Sequence, residues 1–167
     1  MKKITIGLMV LLAAAVLFSC KSSPSSSAPK IEGEVTQEKV NNALGDIYSK
    51  YRSDLVMDGA QIYTVKSGDT LSNITRMYYG SLTGVGTAGA QNGFYFPVIM
   101  MASDSPIVDP DLIEPGMELK IIDLARNLNR SSSRKAIKNC LSDVAGIYNS
   151  KGRAAEENGL RNLANSL

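Results

Sequence analysis

Between Ile62 and Asp123 the apolar positions first alternate, then recur at helical spacing, then alternate again. Ile62, Tyr63, Thr64 and Val65 predict a short strand that runs into Ser67-Gly68, where glycine can take the positive φ of a tight turn. Leu71, Ile74, Met77 and Tyr78 follow with helical periodicity, and Asp69 or Thr70 is placed to accept a hydrogen bond from the free N–H groups of that helix's first turn. A second helix is expected from Phe96-Pro97, since proline suits a first helical position; these two side chains would anchor the helix to the core, or the cluster Phe94, Tyr95 and Phe96 would offer rings for stacking on a ligand. Pro115-Gly116 then fits a two-residue turn, and the strand after it carries Leu119 and Ile121 on one face. The outline is strand, helix, helix, strand, which is an α+β module.

Both flanks read as helical. Val40, Leu44, Ile47, Tyr48 and Tyr51 fall at i, i+4, i+7, i+8 and i+11, giving an amphipathic helix within 36–57. Downstream, 133–150 carries the stripe Ile137, Cys140, Leu141, Val144, Ile147 and Tyr148, and 154–167 carries Leu160, Leu163 and Leu167. Joined at Lys151-Gly152-Arg153, the two form an antiparallel hairpin that either covers part of the module or offers a groove to an envelope protein partner. The connection from Tyr79 to Phe94 is long and rich in glycine (Gly80, Gly84, Gly86, Gly89, Gly93). It reads as a lid, an added surface or a tolerated insertion, since doubling a loop costs only about 0.6 kcal/mol.

The front of the chain has a different character. Lys2 and Lys3 precede an uncharged apolar run from Ile4 to Leu17, the length of a secretory core, and Leu17-Phe18-Ser19-Cys20 looks like a bacterial lipobox. Phe18 is larger than is usual there, a departure that resembles the relaxed lipoboxes of spirochaetes. The run through Cys20 is shorter than the roughly 20 apolar residues of a membrane span, so lipidation of Cys20 is the expectation, with several acyl chains giving stable anchoring. Lys21 to Lys30, rich in serine and proline, reads as a tether of about 30 Å. The expected organisation is a signal peptide at 1–19, lipidated cysteine and tether at 20–35, amphipathic helix and linker at 36–61, the α+β module at 62–123 and a helical hairpin at 124–167.

Tyr63 to Val65, Gly68 to Leu71 and Asp111 to Gly116, in that order, resemble the pattern of the LysM domain over about 62 of the 167 residues. The resemblance implies two antiparallel strands with two helices on one face, binding N-acetylglucosamine polymers such as peptidoglycan or chitin. It implies a shallow groove between the loop that leads into the first helix and the loop that leaves the second, here Ser67, Gly68, Asp69, Thr70 and Leu71 on one side and Asp104, Ser105, Pro106 and Ile107 on the other. An N-acetyl group offers one N–H, one C=O and a methyl, which main-chain hydrogen bonds and a small apolar dimple can read without a charged side chain. Gly68, Asp69, Thr70, Leu71 and Ile107 each also have a purely structural reading, as turn, cap or core. Ala102, Ser103 and Asp104 stand where asparagine is common in the family, and Met117 where glutamine often follows Pro-Gly.

Composition narrows the function classes. At 44% hydrophobic and 20% charged the chain is ordinary globular material. The net charge of +2 resides in Lys2 and Lys3, so nothing favours nucleic acid. The module is acidic, with three cations against seven carboxylates, and the segment from Leu124 onward is basic, with eight cations against three carboxylates. That tail either docks on the module, approaches anionic wall polymers or lipid headgroups, or is a solvated face. With Cys20 acylated, Cys140 has no partner, and its stripe marks it as a buried apolar group. The chain has no histidine, which removes His-based nucleophile pairs and the usual zinc sites. Glu156-Glu157 or Glu32 with Glu34 could serve glycosidase chemistry, but the flanks are too short to build a second sugar cleft. The expectation is a non-catalytic lipoprotein without cofactor or metal, in the bacterial cell envelope, binding peptidoglycan. The alternatives are an envelope adaptor and, behind it, a wall hydrolase.

Overall fold

The computed structural model describes residues 28–82, 89–105 and 108–167. The predicted signal peptide, Cys20, the first part of the tether, Gly84, Gly86, Pro106 and Ile107 lie outside the described residues.

Helix α1 (Gln37–Arg52) precedes strand β1 (Gln61–Thr64), helix α2 (Leu71–Tyr79), a 3-10 stretch (Gly89–Tyr95) and helix α3 (Phe96–Ala102). A short 3-10 turn (Pro110–Leu112) leads to strand β2 (Glu118–Ile121), then α4 (Leu124–Asn129), α5 (Ser131–Ser150) and α6 (Ala154–Ser166). The strands pair antiparallel, Gln61 opposite Ile121 and Thr64 opposite Glu118. This is the α+β arrangement predicted, a two-stranded sheet with two helices, flanked by one helix before and a helical hairpin after.

Helix α3 is buried along its whole length, Phe96 to Ala102. A helix apolar all round must be covered on every side, and here β2, α1, α2 and α5 all pack on it. The flanking helices therefore join the strand–helix–helix–strand unit in one continuous core. The predicted stripe of α1 is buried as expected at Val40, Leu44, Ile47, Tyr48 and Tyr51.

The stripe of α2 needs a correction. Met77 is 64% exposed, because at 3.6 residues per turn it sits about 120° around the helix from Leu71. The inward face is Leu71, Ile74, Thr75 and Tyr79, and the Tyr79 hydroxyl donates to the Ile122 carbonyl at 3.1 Å. Tyr78 is half-buried and meets the Tyr63 ring edge-on at 5.8 Å.

Residues 28–31, placed within the expected tether, pack against α5. Ile31 N–H donates to Ser150 Oγ at 3.1 Å, and Pro29 crosses α5 at Gly146, where a Cβ would lie 2.2 Å from the Pro29 carbonyl oxygen. Residues 28–31 thus belong to the packed unit, because a glycine on α5 lets the chain come close.

Helix α4 was not anticipated. Asp123 caps it by accepting from Arg126 N–H at 2.9 Å, and buried Asn127 accepts from Val56 N–H at 2.8 Å while donating to the Val56 carbonyl at 3.0 Å. That side-chain clamp fixes the link between α1 and β1. The hairpin joins as predicted: N–H groups of Gly152 and Arg153 donate back to Asn149 and Tyr148 at 2.9 Å each, which closes α5. Helix α6 then lies on the 3-10 stretch, with the Phe94 ring seated on Gly159. Its apolar residues Leu160, Leu163 and Ala164 are buried there and against α5, so the hairpin covers the module. Among the described residues no helix is long and apolar enough to cross a membrane.

Candidate functional site

Two turns lie side by side at one end of the sheet. In the first, Asp69 N–H donates to the Lys66 carbonyl at 3.1 Å and Gly68 takes φ of +86°. Asp69 Oδ2 accepts from Lys66 N–H at 2.8 Å and from the Tyr63 hydroxyl at 2.6 Å. Those two bonds, the Tyr63 one foremost, hold the Asp69 carboxyl below the usual carboxylate range, and the same bond pushes the Tyr63 phenol up to about 12. The cap of α2 is Thr70, whose hydroxyl accepts from Asn73 N–H at 3.3 Å. Asp69 braces the turn instead.

The second turn is Glu114 to Met117, with Met117 N–H on the Glu114 carbonyl at 3.1 Å and Gly116 at φ +94°. It is stitched to the end of β1 by Val65 N–H to Met117 O at 2.8 Å and Gly116 N–H to Val65 O at 2.9 Å. Immediately before it runs Asp109-Pro110-Asp111. Asp109 is 1% exposed; its carboxylate accepts from Gln37 Nε2 at 2.9 Å, Asp111 N–H at 3.0 Å and Lys151 Nζ at 3.1 Å. Burial pushes this carboxyl up, but the bonds from Gln37, Asp111 N–H and Lys151 outweigh burial and leave it below the usual range. Asp111 accepts from Lys151 at 2.6 Å, Arg153 at 3.3 Å and the Tyr148 hydroxyl at 3.2 Å. The hairpin's turn is thereby clasped to the module. Two of the eight cations of the basic tail dock on the acidic module in this way.

Between the start of α2 and the segment 110–113 opens a cleft of about 410 Å³, lined by Asp69, Thr70, Leu71, Ser72, Phe96, Pro110, Asp111, Ile113, Tyr148, Arg153 and Glu156. Its volume suits a small ligand or a short piece of polymer. The Phe96 and Tyr148 rings meet edge to face at 5.7 Å. Arg153 pairs with both Asp111 and Glu156, and the Arg153 guanidinium holds the Glu156 carboxyl below the carboxylate range.

Of the predicted site residues, Asp69, Thr70 and Leu71 line this cleft, and Ser67 and Gly68 form the turn that leads into it. Asp104 and Ser105 do not join them. They line a separate hollow of about 130 Å³ with Tyr48, Arg52 and Met100. The cause is local: Ser103 Oγ accepts from Lys120 N–H at 2.8 Å, and Asp104 pairs with Lys120 at 2.9 Å and with Arg52. Those bonds, Lys120 first, hold the Asp104 carboxyl low and keep the chain after α3 against β2. The segment that returns beside α2 is 110–113 instead.

Sequence reading missed Ser72, Pro110, Asp111, Ile113, Tyr148, Arg153 and Glu156 as lining. Asp111 and Ile113 stood inside a recognised phrase, and the opposed charges of module and tail were the available signal for Arg153. Cys140 is free and fully buried, and burial pushes its thiol up, as expected of a core residue. Among the described residues no group of three or more His, Cys, Asp or Glu is placed to hold a metal ion.

Comparison with known proteins gave no match among curated proteins and none among solved structures. The family comparison did match: the LysM domain aligns with residues 63–88, which take in the second half of β1, the Gly68 turn and α2. A LysM domain is a binding domain and implies recognition of peptidoglycan or related N-acetylglucosamine glycans. The end of the turn and the start of α2, which build one wall of the cleft, thus fall within a LysM domain at residues 63–88.

Proposed function

We propose that this protein is a non-catalytic, lipid-anchored binder of peptidoglycan in the bacterial cell envelope. The observation that carries the reading is the cleft between residues 69–72 and 110–113, one wall of which belongs to the LysM match. Its apolar lining residues, Leu71, Phe96 and Ile113, suit the methyl of an N-acetyl group, and Thr70 and Ser72 bring hydroxyls for sugar hydrogen bonds. Catalysis is disfavoured by charge: Asp69 and Glu156 are both held below the carboxylate range, whereas a glycosidase's general acid needs a raised pKa.

Anchoring is by acylation of Cys20, and the residues between it and the packed segment at 28–31 bridge membrane and folded unit. A single shallow site binds weakly. Many anchored copies facing one polymer gain avidity on the order of 10² over the single site.

The test is sedimentation with insoluble peptidoglycan. Retention competed by soluble N-acetylglucosamine oligomers, and reduced several-fold by Ile113→Ala, is the expected result. Zymogram clearing would point to a hydrolase, and absence of both retention and clearing to an adaptor. Incorporation of labelled palmitate, lost in Cys20→Ala, checks the anchor.

A further inference from the structure

The cleft is not made by the strand–helix–helix–strand unit alone: Tyr148, Arg153 and Glu156 come from the hairpin, outside residues 63–88. Three carboxylates line it, Asp69, Asp111 and Glu156, against the single cation Arg153. That cation is committed, since it pairs with Asp111 and Glu156. Around the lining, Lys151 faces Asp109 and Asp111, adding one charge of each sign, and Lys66 acts on Asp69, so the cleft and its surround keep an excess of one negative charge. The Asp69 and Glu156 carboxyls are both held below their usual range, which keeps them ionised at neutral pH.

From this we infer that the hairpin sets the charge preference of the glycan cleft: Glu156, with Asp69 and Asp111, admits an uncharged N-acetylated amino-sugar segment and turns away the same backbone bearing free carboxylates. The inference rests on the glycan-binding reading above and adds the ligand's chemical class to it. A wall polymer presents both kinds of segment, because its lactyl and peptide carboxylates are amidated at some positions and free at others. Uncharged lining groups would bind the two alike. Like charges brought together in a partly enclosed site repel, and specificity follows from that repulsion more than from any added attraction. Glu156 and Arg153 act with opposite sign, which makes the idea testable with two small changes on one helix start.

The experiment is calorimetric titration of the full-length protein in mild detergent at neutral pH and low salt. One probe is a tetramer of N-acetylglucosamine; the other is a tetrasaccharide alternating N-acetylglucosamine and N-acetylmuramic acid, with free lactyl carboxylates. The neutral tetramer should bind about tenfold tighter. Glu156→Gln should narrow that ratio about threefold, Arg153→Gln should widen it, and 0.5 M salt should narrow it by screening. Circular dichroism of both variants confirms that the fold is kept. Equal affinity of the wild type for both probes, or a ratio that moves the same way in both variants, overturns the charge preference and leaves glycan binding standing. Failure of the wild type to bind either probe overturns glycan binding and the inference together.

Discussion

The two walls of the cleft are held by opposite strategies. On the α2 side the bracing is local: Tyr63 and Lys66 bond to Asp69, Gly68 supplies the positive φ of the turn, and Thr70 accepts from Asn73, all within residues 63–73. On the other side Asp109 and Asp111 depend on Gln37, Tyr148, Lys151 and Arg153, from 37 to 72 residues away. A locally braced wall keeps its shape wherever its short stretch of sequence folds. A wall braced from a distance is only as well formed as the packing of α1, α5 and α6 around it.

The largest expected effect breaks the distant wall. Asp109→Ala removes the acceptor shared by Gln37, Lys151 and the Asp111 N–H and leaves Lys151, with a side chain only 15% exposed, short of a partner. Stability should fall by about 3 kcal/mol, read by denaturant unfolding, and glycan retention should fall with it. Next, Gly159→Ala places a Cβ 2.1 Å from the Phe94 ring and should cost about 2 kcal/mol by overpacking. A smaller loss would mean that α6 shifts freely on the module and that the second wall is less dependent on it than the clasp implies.

On the local wall, Gly68→Ala forces a side chain onto φ +86° and should cost about 1 kcal/mol, with no change in the hairpin's hydrogen exchange. The smallest effect is one of pH. Asp69 has its folded pKa lowered by Tyr63, so its stabilisation is full above an ordinary carboxylate pKa of about 4 and disappears as pH falls through the folded value. Tyr63 is shifted the other way, and its stabilisation is full below about pH 10 and is lost as pH rises through about 12. The stability gap between wild type and Tyr63→Phe should therefore be widest near neutrality and close toward both extremes; a gap independent of pH would show that the bond to Asp69 is not its source.

The same contrast explains what could be read from the chain. The Gly68 and Gly116 turns and the helix from Leu71 follow from residues adjacent in sequence and lie where expected, whereas the pairing of β1 with β2, about 60 residues apart, was expected only from the family resemblance. Asp104 and Ser105 were assigned to the cleft by position in a pattern, but their place is decided by Lys120 and Arg52, which no local signal announces. Met77 shows that apolar spacing alone does not fix which side of a short helix turns inward. The contribution of Tyr148, Arg153 and Glu156 depends on α5 and α6 folding back over more than 30 residues onto Asp111, legible only as an imbalance of charge between two halves.

The most direct test is an amide NMR titration of the full-length, isotope-labelled protein with a tetramer of N-acetylglucosamine. The account predicts saturable shifts at residues 69–72 and 110–113 together with 153–156, while Asp104 and Ser105 stay still. Shifts confined to 104–105, or no saturable shift on either wall, would contradict it.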